Sequence, residues 1–255
     1  MRRLVNSSRR VTSQIGPWQG SAGLEIENPP ERAHIWSMFR NREEAGEALA
    51  ERLAALAPKD PVILALPRGG VPVALPVARA LKAPLDLLLV RKIGMPGREE
   101  VAAGAIVDGS PPQIVFNEGL LRATGLRRED FAEQIRKKLA EIAKRRERWL
   151  GGRGHVPVKG RTAIVVDDGI ATGATMRAAL AALRKREPGE IILAVPVAAP
   201  DALAEIEPLV DRIVVLETPR PFLAVGAHYI DFSQVDDDEV TEMLKSANAR
   251  EGDGE

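Results

Sequence analysis

The chain alternates short apolar runs with longer stretches in which apolar residues recur every three or four positions. Ala45, Leu49, Leu53 and Leu56 share one helical face, with Asn41 as N-cap and Glu44 as its capping-box partner. Pro58 and Asp60 end that helix. The run VILAL at Val62–Leu66 is continuous, as in a strand buried on both faces. A helix is expected from about Pro72 to Leu81, with Pro76 counting against it, and then a strand at Leu85–Val90. Arg91–Gly109 reads as a long loop broken by Gly94, Pro96 and Gly97, with a short strand at Ala103–Val107 that could pair with Ile114–Phe116. Phe131, Ile135, Leu139, Ile142 and Trp149 mark an amphipathic helix over Glu129–Trp149, closed by a turn at Gly151, Gly152 and Gly154.

The second half repeats the alternation more regularly. A strand ends at Val166, a helix runs from Thr175 to about Arg186, and Ile191–Val197 is a strand. A short helix at Asp201–Ile206 and a strand at Arg212–Leu216 follow. This order predicts an α/β fold built on a doubly wound, mostly parallel sheet. Past Glu217 the pattern turns irregular until a last helix at about Asp237–Ala247. The expected organisation is a flexible tail over 1–35, one domain over 36–232 with a small irregular hood at 217–232, and a C-terminal helix and polar tail over 233–255.

Composition narrows the function classes. The 255 residues carry 36 basic and 36 acidic side chains, so no large positive field draws in nucleic acid non-specifically. Arg2, Arg3, Arg9 and Arg10 make the first thirty residues an exception, compatible with a flexible arm or a transit segment. With no cysteine, thiolate catalysis, disulfides and cysteine-ligated metals are excluded, and a reducing cytoplasm is compatible. His34, His155 and His228 lack metal-ligand spacing. No apolar run approaches the roughly 20 residues that span a bilayer.

The chemistry concentrates at Thr162–Thr175, TAIVVDDGIATGAT. A buried strand ends in Asp167 and Asp168, and a Gly/Thr loop then opens a helix. Unpaired backbone N–H groups and the helix dipole favour an anion there. The small residues Gly169, Ala171, Gly173 and Ala174 let a phosphate approach, and the Thr172 and Thr175 hydroxyls add donors. Two carboxylates beside such a site suit the vicinal hydroxyls of a sugar phosphate. Two further loops leave strand ends: Arg68-Gly69-Gly70 and the passage from Arg91-Lys92. Ligands of open α/β sheets bind at such ends. No Walker A sequence and no G-x-G-x-x-G appears.

VVDDGIATGAT resembles the phosphoribosyl-pyrophosphate (PRPP) motif of type I phosphoribosyltransferases, and the similarity extends over about Phe39–Phe232. The resemblance implies that Asp167 and Asp168 hold the ribose hydroxyls and that Ala171–Thr175 cradle the 5-phosphate. It implies a diphosphate loop at Arg68, Gly69 and Gly70, and a mobile catalytic loop carrying Arg91 and Lys92. Glu99 and Glu100 lie in that loop, either near a Mg²⁺ ion or as plain solvated charges. The stretch ETPRPFLAVGAHYIDF is similar to the base-covering hood of purine enzymes. There Phe222 would stack on the base, Leu223 would read its edge through the backbone, and Asp231 would stand near the diphosphate metal. Ala171 replaces the acid of hypoxanthine-guanine enzymes, and Pro196-Val197-Ala198-Ala199 replaces their lysine, so a 6-oxopurine is disfavoured. The implied cofactor is Mg²⁺, and the implied partners are PRPP and a small nitrogenous acceptor. A homodimer is compatible. A PRPP-sensing regulator or RNA-binding protein on the same fold is the alternative.

Overall fold

The computed structural model describes residues 38–248. The Arg-rich N-terminal arm therefore lies outside the described residues. The central sheet has five strands: β1 (Pro61–Ala65), β2 (Leu85–Leu87), β6 (Thr162–Val166), β7 (Glu190–Val197) and β8 (Arg212–Glu217). Their spatial order is β2-β1-β6-β7-β8, and every pairing is parallel. Strand alternation divides the core into two layers. Ile63, Ala65, Ile164, Val166, Ile192 and Ala194 face α1 (Arg42–Ala55), α2 (Gly70–Leu81), α4 (Ala132–Leu150) and α7 (Asp237–Asn248). Val62, Leu64, Ala163, Val165, Leu193 and Val195 face α5 (Ala174–Arg184) and α6 (Pro200–Ile206). Burial on both faces explains why these strands read as continuous apolar runs. The doubly wound sheet is thus present as expected.

The stretch after β2 departs from the loop expected there. The strand expected over Leu85–Val90 stops at Leu87, and the chain then builds a separate antiparallel sheet. Its strands are β3 (Val90–Met95), β4 (Arg98–Val107) and β5 (Gln113–Phe116), in the order β3-β4-β5. The register slips at Gly94, where a side chain would meet the Glu99 carbonyl oxygen at 2.6 Å. Gly97, at φ +74°, makes the turn. The breakers therefore mark a bulge and a hairpin tip inside one ribbon. The predicted pairing of Ala103–Val107 with Ile114–Phe116 is present. A helix not foreseen, α3 (Glu118–Thr124), follows, with Asn117 capping the Leu120 N–H at 3.0 Å.

α2 runs unbroken through Pro76. It packs on α1, where Gly46 allows close approach: a Cβ there would lie 2.4 Å from the Val73 carbonyl oxygen. The tertiary contact outweighs the lost helical hydrogen bond. Among the described residues, no helix is long and apolar enough to cross a membrane.

Candidate active site

Strand order reverses between β1 and β6, so the loops leaving these neighbours open a crevice at their carboxyl ends. The β1 loop is short: the Leu66 N–H donates to Val166 O at 2.9 Å, and the Gly70 N–H closes back to Leu66 O at 3.0 Å. The Pro67–Arg68 bond is cis. A Cβ on Gly69 would lie 2.0 Å from Asp168 Oδ2, and one on Gly70 would lie 2.7 Å from Val166 O. Only glycines let this loop press against the acidic pair.

The two acids differ in their surroundings. Asp167 turns one oxygen back to accept the Asp168 N–H at 2.9 Å. Asp168 Oδ2 accepts Arg42 Nε–H at 2.9 Å, and its backbone carbonyl accepts the Tyr229 hydroxyl at 2.6 Å. Burial raises the Asp167 carboxyl well above the usual range, and the Asp168 charge raises it further. Burial also raises Asp168, opposed by Arg42. Burial and then Asp168 push the Tyr229 hydroxyl far up, so it remains a donor.

These shifts carry a stability consequence. A carboxyl raised in the folded state binds its proton more tightly there than in the unfolded chain. Asp167 therefore costs stability as pH rises from the ordinary carboxylate range through its raised folded value. Asp167→Asn removes that cost and can still accept the Asp168 N–H. We expect its Tm at pH 7 to exceed wild type by on the order of a few °C, with the gap closing below about pH 4. A melting series across pH checks this, and a lower Tm for the variant at pH 7 would refute it.

The loop after the acids is pinned at two points. A Cβ on Gly169 would sit 2.5 Å from Val225 Cγ1, so the loop passes tightly beneath that residue. Ile170 joins the end of β7: its N–H donates to Val197 O at 2.9 Å, and Ala199 N–H donates to Ile170 O at 2.8 Å. Gly173 then takes φ +70° and α5 begins with no side-chain cap. Ala171, Thr172 and Thr175 are exposed. The α5 N-terminus is thus an open, uncapped turn of N–H donors flanked by two hydroxyls.

A family model of the phosphoribosyl transferase domain matches residues 38–222. The chain belongs to that family. It is 46% identical over 211 residues to a Mycobacterium tuberculosis protein whose name provisionally makes it a phosphoribosyl transferase, covering 83% of this chain and 47% of that one. The chain thus spans about half the length of the curated relatives it matches. It also resembles the crystal structure of a Thermus thermophilus protein, TT1426, at 41% identity and TM-score 0.72, over 82% of this chain and 98% of that one.

Within this phosphoribosyl transferase domain, Arg68, Gly69, Gly70 and Asp167–Thr175 come together at adjacent strand ends. Arg68 Nη1 stands 3.7 Å from Asp237 Oδ1 at the start of α7. Arg91 and Lys92 part company, because neighbours on a strand face opposite ways. Arg91 lies 3.8 Å from Glu141 of α4, away from the loops. Lys92 lines a cleft of about 320 Å³ between the ribbon and α5, together with Thr175 and Arg177. Glu99 and Glu100 are exposed near the ribbon tip.

After β8, a single 3-10 turn at Val225–His228 and the Phe39–Tyr229 bridge hold the 217–232 segment over the loop. Phe222 stacks on His228, at 5.7 Å between ring centroids, rather than standing free. Leu223 is 80% exposed. Asp231 is exposed, and it accepts from the Ser233 N–H at 2.9 Å and from the Ser233 hydroxyl. Arg42 and Tyr229 were not anticipated. A cation in the first turn of α1, where the helix dipole disfavours it, was the available signal for Arg42.

A second polar cluster lies at the ribbon base. Arg146 bonds Asp86 Oδ1 at 3.0 Å, Asp108 Oδ2 at 2.9 Å and Gly154 O at 3.1 Å. His155 Nε2 lies 2.9 Å from Asp108 Oδ1. Burial opposes ionisation of Asp108, but His155 and Arg146 outweigh it and hold that carboxyl below its usual range.

Proposed function

We propose that this domain transfers the phosphoribosyl group of PRPP to a nitrogenous acceptor, in the simplest case a nucleobase, with release of pyrophosphate. The contact between the Gly69–Gly70 turn and the Asp168 carboxylate carries this reading. It sets a glycine-rich anion loop against two acids, with an uncapped helix N-terminus beyond them. A sugar with diphosphate at one end and phosphate at the other matches that sequence of groups.

In this reading, Asp167 and Asp168 accept hydrogen bonds from the ribose hydroxyls, and the α5 N-terminus with Thr172 and Thr175 takes the 5-phosphate. Arg68 and the Gly69–Gly70 amides meet the diphosphate, and Lys92 approaches from the ribbon. Displacement at C1 develops positive charge on the sugar and negative charge on the leaving group. No side-chain nucleophile is needed; positioning and stabilisation of the diphosphate carry the rate. Arg91 would join only if the ribbon rearranged.

Among the described residues, no cluster of three or more His, Asp or Glu side chains could hold a metal. In this reading Mg²⁺ would be held by one carboxylate together with substrate phosphates. Asp231, whose Oδ1 accepts both Ser233 donors and whose Oδ2 is left for the ion, would be the residue for it. The ion, when bound, would neutralise diphosphate charge.

Ala171 and the Pro196–Ala199 stretch argue against a 6-oxopurine acceptor. A panel of bases with PRPP and Mg²⁺, read as pyrophosphate release, tests the proposal. We expect release that depends on PRPP and on at least one acceptor. PRPP binding without turnover on any acceptor would favour the regulator, and absence of PRPP binding would overturn both readings.

A further inference from the structure

Arg42 lies outside every motif that marks the loops, yet it is the cation that meets the ribose-facing acids. It stands in the first turn of α1, behind the Asn41 cap, whose side chain accepts the Glu44 N–H at 2.9 Å. That rigid start fixes where its side chain leaves the helix. Nε donates to Asp168 Oδ2 at 2.9 Å, and Nη1 donates to the Ser233 carbonyl at 2.8 Å. The guanidinium carbon lies 3.9 Å from the Phe232 ring centroid and 6.0 Å from that of Tyr229. The two rings stack at 5.1 Å, and the Tyr229 hydroxyl bonds the Asp168 carbonyl. Only 12% of the Arg42 side chain is exposed. Asp168 is thus gripped twice, at its carboxylate by Arg42 and at its backbone by Tyr229.

Residues Tyr229, Phe232 and Ser233 lie beyond the stretch matched by the family model. We infer that Arg42 is a positioning residue for the donor sugar: it orients the Asp168 carboxylate and makes that orientation depend on the seating of residues 229–233. The inference rests on the PRPP reading. A guanidinium is a planar fork, so engaging the Ser233 carbonyl and the aromatic face sets the direction of its Nε–H toward Asp168. Asp168 keeps its remaining lone pairs for vicinal hydroxyls. Lysine would keep the charge and lose the fork.

Ribose 5-phosphate separates this role from direct diphosphate binding, because it carries the hydroxyls and lacks the diphosphate. We expect Arg42→Gln to weaken both ribose 5-phosphate and PRPP by about tenfold in titration calorimetry, and Arg42→Lys by a smaller factor, with acceptor KM unchanged. In an Asp168→Asn background, Arg42→Gln should add less than about twofold, because the two act as one unit. Weakening of PRPP alone would mean that Arg42 touches the diphosphate, and wild-type affinity for both ligands would mean that it positions nothing. Either result overturns the inference, as would full additivity with Asp168→Asn. Should Arg42→Gln fail to fold, Arg42→Lys decides: weaker ribose 5-phosphate binding at unchanged Tm supports the role, and wild-type affinity overturns it. A wild-type protein that binds neither ligand would instead sink the PRPP reading.

Discussion

Asp168→Asn is expected to lower kcat/KM for PRPP by about 100-fold or more while leaving the fold intact. A hydrogen bond to a charged acceptor contributes about 1.5–3 kcal/mol, and ribose hydroxyls would lose charge-assisted acceptance at this carboxylate. The substitution also leaves Arg42 without its anion, so the donor site loses both charge and orientation. The backbone bond from Tyr229 survives, because it ends on the Asp168 carbonyl. Burial already opposes ionisation of Asp168, so the amide removes a charge that the fold holds at a cost. Pyrophosphate release with saturating acceptor, alongside circular dichroism and a melting curve, checks the pair of expectations. An unchanged kcat/KM would remove Asp168 from the donor site, whatever the family membership of the chain.

Arg146→Ala should have the largest effect on stability. Arg146, Asp86 and Asp108 are all buried, and the arginine is shared between the two acids. Removing it leaves two carboxylates facing each other without their shared cation, a change that costs about 3–5 kcal/mol. For a domain of this size that corresponds to a fall in Tm of roughly 10 °C. The network links β2, the end of β4, the end of α4 and the connection through His155. Its loss should therefore also loosen the ribbon that carries Lys92. Differential scanning calorimetry reads the first effect, and hydrogen exchange at β3 and β4 reads the second. An unchanged midpoint would show that the cluster contributes nothing net.

Much of the framework was legible because it is written locally. The Asn41 cap, the buried strands and the turn from Val166 into α5 each announce themselves within about a dozen residues. The β3–β4 half of the ribbon was not legible. Gly94 and Gly97 signal a break in either a loop or a bulged hairpin, and only the partner strand decides between them. Pro76 weighed against a helix that is nevertheless there: local propensity speaks against it, and packing of α2 on α1 overrides that. Pairing Arg91 with Lys92 as one functional unit overlooked strand alternation, which sends their side chains to α4 and to the α5 cleft.

By itself, the order of residues determined the class of fold and the make-up of the Gly/Thr loop at the start of α5. Periodicity selects helix or strand, and an uncapped helix start after small residues leaves N–H donors that favour an anion. The tertiary structure alone decided the electrostatic partners. Arg42 and Asp168 are separated by 126 positions, and Arg146 and Asp86 by 60. Nothing in either local sequence names the other, because a charge interacts with whatever folding brings within a few ångströms. The parallel sheet brings β1 beside β6, and α1, packed on α2 and against β7 and β8, sends the Arg42 side chain of its first turn to the loop after β6. That juxtaposition turns an acidic pair into a carboxylate aimed by an arginine.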